Sequence, residues 1–451
     1  MFEGFVAHQL GSRVAHSAAL IGECSVPYTN HGRFAIEIEQ ERMDMATDDM
    51  TADKVDIIVA GAGPAGLIAA LAFAHAGFGV RLIGPEAGAQ DRRTTALMAP
   101  SMAFLDQLGV RDAIVGEAAP LRTMRIVDVT KRLVRSGPVS FHASEIGEDA
   151  FGWNVPNAVL ARELQKAVAA HPAIEWTKAA IRECRIGGDS VAAVPEDGNA
   201  VSARLAVAAD GRNSPAREAA GIRVLRHAYD QAALVFNFAH TREHGFVSTE
   251  FHTETGPFTQ VPLPGRRSSL VWVLRPERAE ELAALSDGEL SVMVEERMQS
   301  ALGKVTIEPG RQVYPLSSAM PVTFARDRIA LVGEAAHVFP PIGAQGLNLG
   351  IRDVRDLAEI AGRHTADPGA AAALDAYSRR RRPDIVARTG AVHALNRSLL
   401  SDMLPAQVAR MAGLGLLGTF SPLRAFFMRE GLEPGSGFSA IFSGARKQVG
   451  R

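Results

Sequence analysis

Short apolar runs rich in β-branched residues recur along the chain and predict strands buried on both faces. Residues 55–60 form the first such run, and residues 80–83, 205–209 and 328–332 repeat its character. Between the first two runs, residues 65–76 are mostly small and apolar, which predicts a closely packed helix. This strand–helix–strand order predicts a βαβ unit within a parallel sheet.

Elsewhere the period of the pattern changes. Residues 224–275 alternate between apolar and polar positions, which predicts an antiparallel sheet. Residues 287–302 have the spacing of an amphipathic helix, and residues 370–429 are mainly helical in pattern. The fold class predicted is therefore α/β: a Rossmann-like domain with an inserted β-sheet domain and a C-terminal helical segment.

The turn between the first strand and helix has the sequence Gly-Ala-Gly-Pro-Ala-Gly, which matches G-x-G-x-x-G. Gly61 would allow a tight turn, Gly63 would let a pyrophosphate approach the backbone, and Gly66 would let helix and strand pack closely. The helix start at Pro64 and Ala65 would direct unpaired N–H groups at the phosphates. A dinucleotide site is therefore predicted.

One acidic residue that is expected in such a site is missing from its usual position. An acid that binds the adenosine ribose is expected at the end of the second strand, but Gly84 lies there and Glu86 follows two residues later. Either Glu86 reaches back, or backbone and other residues hold the ribose. On this interpretation, Gly84→Glu should tighten cofactor binding.

Two further motifs follow buried strands. Asp210-Gly211 is either a common turn or a contact to the cofactor. The third motif begins at Gly333-Glu334 and continues through a turn rich in proline and glycine before a helix. Successive N–H groups of such a turn, together with the helix dipole, would stabilise the negative charge of a reduced flavin.

The composition limits which binding partners and which cellular compartment are expected. The 451 residues carry a formal net charge of -2, so the chain lacks the net positive charge that would indicate binding to nucleic acid. Cys24 and Cys184 lie far apart, which fits a reducing compartment. No signal peptide is evident, and a cytoplasmic protein is expected, with peripheral contact to the inner face of the membrane as an open alternative. Residues 1–54 are interpreted as a flexible tail, with an internal methionine as an alternative start.

Three other patterns are interpreted as ordinary structure. Residues 413–418 match G-x-G-x-x-G, but no strand precedes them. His240 and His244 resemble a metal pair, but no acid completes the set, so a surface pair and no metal are expected. Residues 379–382, four arginines, are interpreted as a solvated helix end. No catalytic triad is expected.

The three motifs in this order resemble the single-component flavoprotein aromatic hydroxylases. The sequences GAGPAG, ADGRNS and GEAAHVFPPIGAQGLNLGIRD carry the resemblance over about residues 55–430, and DRRTTAL and PLP followed by SSLVW are similar to the ubiquinone-biosynthesis hydroxylases. Gly84 stands where that group usually has Glu, and Glu334 where Asp or Asn is common. The resemblance implies non-covalent FAD, with Arg93 near the flavin, and transient docking of NAD(P)H.

The resemblance and the motifs together give a set of expected cofactor contacts. These are Gly61, Gly63, Pro64, Ala65, Gly66, Glu86, Arg93, Asp210, Gly211, Gly333, Glu334, Pro341, Gly343, Gln345, Gly346, Leu347 and Asn348. The implied domains alternate along the chain. The FAD-binding domain takes residues 55–125, 151–223 and 321–370; substrate-domain strands take 126–150 and 224–320; helices take 371–451.

The activity implied is hydroxylation of an aromatic ring, with a polyprenylated phenol as substrate. NAD(P)H would reduce FAD, and dioxygen would give a flavin hydroperoxide that transfers its distal oxygen. A reductase or oxidase without oxygen insertion, or a non-catalytic scaffold subunit of a quinone-synthesis complex, remain alternatives. Residues 414–428 are dense in large apolar side chains with arginines among them. They either pack on the FAD domain or form a surface for a membrane or partner.

Overall fold

The computed structural model describes residues 53–86, 88, 91–130, 135–341, 346–400, 404–433 and 435–437. The expected flexible tail lies outside these residues, except that Asp53 and Lys54 already belong to the first strand.

The described strands are β1 Asp53–Ala60, β2 Val80–Ile83, β3 Thr94–Met98, β4 Ala119–Pro120, β5 Thr123–Asp128, β6 Val139–His142, β7 Gly152–Pro156, β8 Ile174–Thr177, β9 Ile181–Ile186, β10 Val191–Pro195, β11 Val201–Ala208, β12 Val224–His240, β13 Val247–Thr253, β14 Gly256–Leu263, β15 Arg267–Leu274, β16 Val305–Ile307, β17 Gln312–Pro321, β18 Ala325–Arg326 and β19 Ile329–Leu331. The described α-helices are α1 Pro64–His75, α2 Ala99–Gln107, α3 Arg111–Val115, α4 Asn157–Ala170, α5 Pro215–Ala219, α6 Pro276–Ala283, α7 Asp287–Arg297, α8 Gly346–Arg363, α9 Ala371–Leu400, α10 Leu404–Thr419 and α11 Ser421–Leu432.

The first sheet forms the centre of the Rossmann-like domain. Strands β19, β11, β1, β2 and β8 run parallel in that order, and β18 adds an antiparallel edge. The last four residues of β1 are fully buried, as their continuous apolar sequence predicts. Helix α1 is buried along most of its length because its small side chains let it pack closely against its neighbours. The predicted α/β class is confirmed.

The second sheet has the order β16-β12-β15-β14-β13-β5-β6, with β17 beside β12. It contains the predicted antiparallel strands, and β5 joins β13 in parallel. Its two faces have different neighbours. One face carries Phe251, Phe258 and Trp272 and packs with residues of α6 and α7 into a second hydrophobic core. The opposite face is called here the inner face, because it turns toward the Rossmann-like domain.

Two hydrogen bonds connect the inner face to the Rossmann-like domain. Thr94 Oγ1 of β3 donates to Ser269 Oγ of β15 at 3.0 Å, and Asn237 of β12 donates to the Arg92 carbonyl at 2.9 Å. The strands β3, β7 and β4 form a small third sheet in that order. Asn154 of β7 adds a bond from this sheet to the Pro262 carbonyl at 2.8 Å. Polar contacts therefore join the two domains along one side of the inner face.

The C-terminal helices pack on the outer strands of the second sheet. Met428 of α11 is buried against Ala143, Ile146 and Phe151. Among the described residues, no single helix has the length and apolar composition to cross a membrane. The segments Met411–Thr419 and Ser421–Leu432 meet that criterion only as a pair, which is bent by 106°.

Candidate cofactor and active site

The turn after β1 has the geometry that the first motif predicts. Gly61 has φ +99°, and a Cβ there would lie 2.8 Å from the Asp210 Cα. A Cβ at Gly66 would lie 2.9 Å from the Gly61 carbonyl carbon, so helix and turn are in direct backbone contact. At Gly63, in contrast, a Cβ would meet no atom within 4 Å. Gly63 therefore faces open space in front of the start of α1.

The N-terminus of α1 is open as well. The helix begins at Pro64, with Ala65 in its first turn, and no side chain of the described residues caps it. Its first N–H groups are therefore available to a ligand, and the helix dipole favours an anion there.

The end of β2 contradicts one expectation. A Cβ at Gly84 would overlap the Ala62 nitrogen and lie 2.9 Å from the Gly61 carbonyl carbon. The expected tightening of cofactor binding by Gly84→Glu is therefore wrong for this backbone, because any side chain at residue 84 displaces the first motif. Glu86 lies exposed beyond the strand and forms an ion pair of 2.7 Å with Lys178.

Gly84→Ala should accordingly destabilise the protein. Overpacking of this kind costs about 1–3 kcal/mol. The free energy of unfolding is measured by chemical denaturation of the apoprotein. Gly79→Ala is the matched control, because its Cβ would find only an ordinary contact of 3.5 Å with Asp56. Equal stability of the two variants would contradict the prediction.

The second motif lies beside the first. Gly211 has φ +82°, a conformation that favours glycine. Asp210 accepts a hydrogen bond from the Ala216 N–H at 3.1 Å, but its buried Oδ1 has no hydrogen-bond partner among the described residues. Burial raises the pKa of Asp210, and the bonds from Ser214 and Ala216 offset part of that rise. An unpartnered buried acceptor beside the open turn fits a ligand hydroxyl.

The third motif contacts both of the others. Gly333 has φ +59°, and a Cβ there would lie 3.0 Å from the Ala65 Cβ of α1. Glu334 accepts a hydrogen bond from Arg212 of the second motif at 3.2 Å, and its side chain remains more than half exposed. The glycine of this motif thus lies against α1, and its acid lies against the second motif.

The turn that follows is described only in part. Pro341 is exposed, and Gly343 and Gln345 lie outside the described residues. Gly346 begins α8 with open space around its Cβ position, and Leu347 packs partly against the main core.

The side chain of Asn348, an expected cofactor contact, forms hydrogen bonds within the protein. Its Oδ1 accepts hydrogen bonds from the Met98 N–H at 2.9 Å and the Ser101 hydroxyl at 2.7 Å. Its Nδ2 donates to the Ala96 carbonyl at 2.8 Å. The side chain therefore ties α8 to β3 and α2.

Arg93 lies between the two domains. Its guanidinium donates to the Asp91 carboxylate at 2.6 Å and lies 5.4 Å from the centre of the Tyr314 ring. The bond to Asp91 raises the pKa of Arg93, and the charge of Glu334 adds to this rise. Burial opposes ionisation of Asp91, but hydrogen bonds from Arg93 and Asn157 lower its pKa to about 2. A cation is thus held beside Tyr314 of the second sheet.

Sequence reasoning missed a buried charge cluster behind the third motif. Asp353 is completely buried and accepts hydrogen bonds from the Gly333 N–H at 3.1 Å, His337 at 2.6 Å and Arg381 at 2.7 Å. Arg381 also donates to Asp356 at 3.1 Å. The interpretation of residues 379–382 as a solvated helix end is therefore wrong for Arg381, which is 1% exposed.

The histidine pair is also buried rather than exposed. His240 Nε2 lies 3.0 Å from Ser268 Oγ, and His244 Nε2 lies 2.9 Å from the Leu263 carbonyl. Burial lowers the pKa of His240. The part of the chain that the structure describes contains no cluster of His, Cys, Asp and Glu suited to a metal ion.

The residues present fit a flavin dinucleotide. Gly61 lies against Asp210 and Gly333 lies against Ala65, so the open Gly63, the uncapped start of α1 and the unpartnered Asp210 oxygen belong to neighbouring segments. The charge of Arg93 interacts with that of Glu334. The N–H groups would hold the pyrophosphate, and the acids of the second and third motifs would hold hydroxyl groups. The dipole of α8 would favour negative charge on the flavin ring.

Comparison with known proteins agrees with this geometry. The family model described as "FAD binding domain" matches residues 54–389. A ubiquinone hydroxylase, UbiL of Rhodospirillum rubrum, is 35% identical over 394 residues, covering 85% of this chain and 90% of the relative. The 3-demethoxyubiquinol 3-hydroxylase of Escherichia coli is 30% identical, covering 69% and 80% of the two chains.

The similar solved structures share the fold. The p-nitrophenol 4-monooxygenase PnpA of Pseudomonas putida has a TM-score of 0.68 at 22% identity, covering 84% of this chain and 97% of its own. PqsL of Pseudomonas aeruginosa, a probable FAD-dependent monooxygenase, also has a TM-score of 0.68, at 23% identity, covering 80% and 100%.

The family model and the similar relatives together define an FAD-dependent aromatic monooxygenase. Within that class the chain belongs to the family of the ubiquinone-biosynthesis hydroxylases. The resemblance stated from the three motifs is confirmed.

Proposed function

We propose that the protein hydroxylates the ring of a polyprenylated phenol, with NAD(P)H as electron donor and dioxygen as oxygen donor. The observation that supports this proposal is the contact between the inner face and the segment that carries Arg93. Thr94 and Arg92 join the FAD-binding side to that face through Ser269 and Asn237. A ring bound on the inner face would therefore lie next to the flavin.

The chain's own residues would bind the substrate, orient its ring and exclude water. The inner face offers Val235 and Val271 beside a buried apolar cluster, which suits an aromatic ring. Tyr314 and Arg93 form its border toward the cofactor. Bound FAD supplies the redox chemistry and oxygen transfer as expected from the resemblance.

The test is turnover of FAD-loaded protein with NADH or NADPH, ¹⁸O₂ and a short-chain prenylphenol. The expected product gains one ¹⁸O on the ring. NAD(P)H consumption with hydrogen peroxide and no product would instead identify a reductase or oxidase. Purified protein without a flavin absorbance spectrum, and without FAD uptake on titration, would favour the scaffold alternative.

We also propose that the C-terminal helices contact a membrane. A polyprenyl chain is too apolar to diffuse freely, so the substrate must be met at a lipid surface or in a complex with other quinone-synthesis proteins. Four large apolar side chains of α10, α11 and their junction are 38–54% exposed: Met411, Leu416, Phe420 and Phe427. They are called here the exposed apolar set.

Two arginines of this segment form contacts within the protein. Arg424 pairs with Glu145 at 2.7 Å, and Arg429 donates to the Ile146 carbonyl at 3.1 Å. Both therefore fasten α11 to the second domain instead of bordering an exposed surface. Met428 of α11 is buried there as well, whereas Phe427 of the same helix is exposed.

We expect that Leu416→Asp combined with Phe420→Asp will abolish sedimentation with anionic liposomes and leave FAD binding intact. The physical reason is that a charged side chain opposes insertion into the apolar part of the bilayer interface. Val292→Asp on α7 is the matched control, since Val292 is 56% exposed but lies in the second domain. Undiminished sedimentation of the double variant would exclude this segment as the membrane contact.

A further inference from the structure

An acid–histidine pair lies in the middle of the inner face. Glu250 and His252 belong to β13, and both point to the inner face because Phe251 between them packs into the opposite core. In the ladder, Glu250 pairs with Thr259 of β14 on one side and with Ile126 of β5 on the other. None of the three cofactor motifs includes this pair.

The two ends of the inner face are already occupied. Toward β15 and β12, Ser269 and Asn237 contact the FAD-binding side. Toward β5 and β6, Met124 and Phe141 pack on the cluster that contains Met428 of α11. Strands β14 and β13 lie between these ends. Glu250 therefore lies between the part of the inner face that contacts the FAD-binding side and the part that contacts the C-terminal helices.

Hydrogen bonding prepares Glu250 to accept from a ligand. His252 Nε2 lies 2.9 Å from Glu250 Oε1, and His252 is 3% exposed. Because a carboxylate only accepts, the ring must donate through Nε2. The second oxygen, Oε2, has no hydrogen-bond partner among the described residues, and the side chain is 21% exposed. The histidine thus fixes the carboxylate with one oxygen left free.

The other acid on this stretch is already satisfied. Asp128 of β5 pairs with His252 in the ladder, but its carboxylate accepts hydrogen bonds from Thr130 and from the Ser136 N–H. The neighbouring strand β14 contributes Thr259 and Pro257, which carry no charge. Among the described residues of this part of the inner face, Glu250 therefore offers a charged carboxylate oxygen that can accept a hydrogen bond from a ligand.

We propose that Glu250, oriented by His252, accepts the hydrogen bond of the substrate's ring hydroxyl. This inference rests on the proposed function and adds to it the residue that selects a phenol over a ring without a free hydroxyl. A carboxylate also repels a phenolate, so the neutral phenol is the form that binds. The bond directs the ring and draws electron density toward the phenol oxygen as the O–H bond is polarised.

The experiment is isothermal titration of FAD-loaded protein with 2-geranylphenol and with its methyl ether, which cannot donate. The wild-type protein should bind the phenol at least about tenfold more tightly, as a hydrogen bond to a charged group requires. In Glu250→Gln this preference should fall to about twofold or less. His252→Phe should lower it to an intermediate value, because the carboxylate loses its orientation.

Glu254→Gln is the matched control, since it removes the same charge from the turn after β13 and should keep the preference. Flavin spectra and thermal melts confirm that each variant is folded and loaded. Equal affinity of wild-type protein for phenol and ether, or an unchanged preference in Glu250→Gln, overturns the inference and leaves the proposed function standing. Failure of the wild-type protein to bind either compound overturns the proposed substrate class and the inference together.

Discussion

Gly63→Val will abolish FAD binding and leave the apoprotein folded. The backbone at Gly63 has φ −71° and ψ 174°, which valine adopts without strain, and the added atoms would enter open space. That space is where the pyrophosphate approaches the start of α1. The side chain would therefore displace the ligand and not the protein. We expect the dissociation constant for FAD to rise at least about a hundredfold, equivalent to ~2.8 kcal/mol.

The measurement is titration of apoprotein with FAD, followed by flavin fluorescence, beside a thermal melt without FAD. Two variants bracket the result. Gly116→Val adds the same side chain at a helical backbone with open space outside the three motifs, and it should bind FAD normally. Gly66→Ala should instead destabilise the apoprotein, because its Cβ meets the Gly61 backbone. A full flavin spectrum in Gly63→Val would refute the placement of the pyrophosphate.

The first motif and the fold could be predicted because both depend on local sequence. A buried strand, a glycine turn and a small-residue helix leave few alternatives for the backbone, and Gly61 and Gly66 have the close contacts that their spacing predicts. The expectation for Gly84 failed for the opposite reason. Whether residue 84 has room for a side chain depends on Ala62, which the fold brings there from another segment.

The buried charges show a second limit. Four arginines before a proline are typical of a helix end, yet α9 continues through Pro383. Arg381 is buried because Asp353 and Asp356 of α8, one turn apart, face it across the helix pair. The spacing of these two acids on an otherwise apolar helix face was the available signal. The direction in which they point could not be read from either helix alone.

We expect Arg381→Met to be the most destabilising of the variants considered. The methionine fills similar volume, but it leaves Asp353 and Asp356 buried without their guanidinium, and the loss of one partner of a buried ion pair costs about 3–5 kcal/mol. Chemical denaturation of FAD-loaded protein measures the change. Arg379→Met, in the same helix turn but outside these ion pairs, is the control. Equal unfolding midpoints for the two variants would contradict the assignment.

The pH dependence of this difference provides an independent check. Burial alone would raise the pKa of Asp384, which also accepts from Arg381, but Arg352 and Arg381 lower it to about 2. Burial likewise opposes ionisation of Asp353, and His337 and Arg381 overcome it, so that its pKa is lowered. A depressed carboxyl pKa stabilises the fold above the unfolded value near 3.8 and loses that contribution as the pH falls through the folded value. The stability gap between wild-type protein and Arg381→Met should therefore narrow as the pH falls toward 2. A gap that widened on acidification would mean that the aspartates are not held ionised by Arg381.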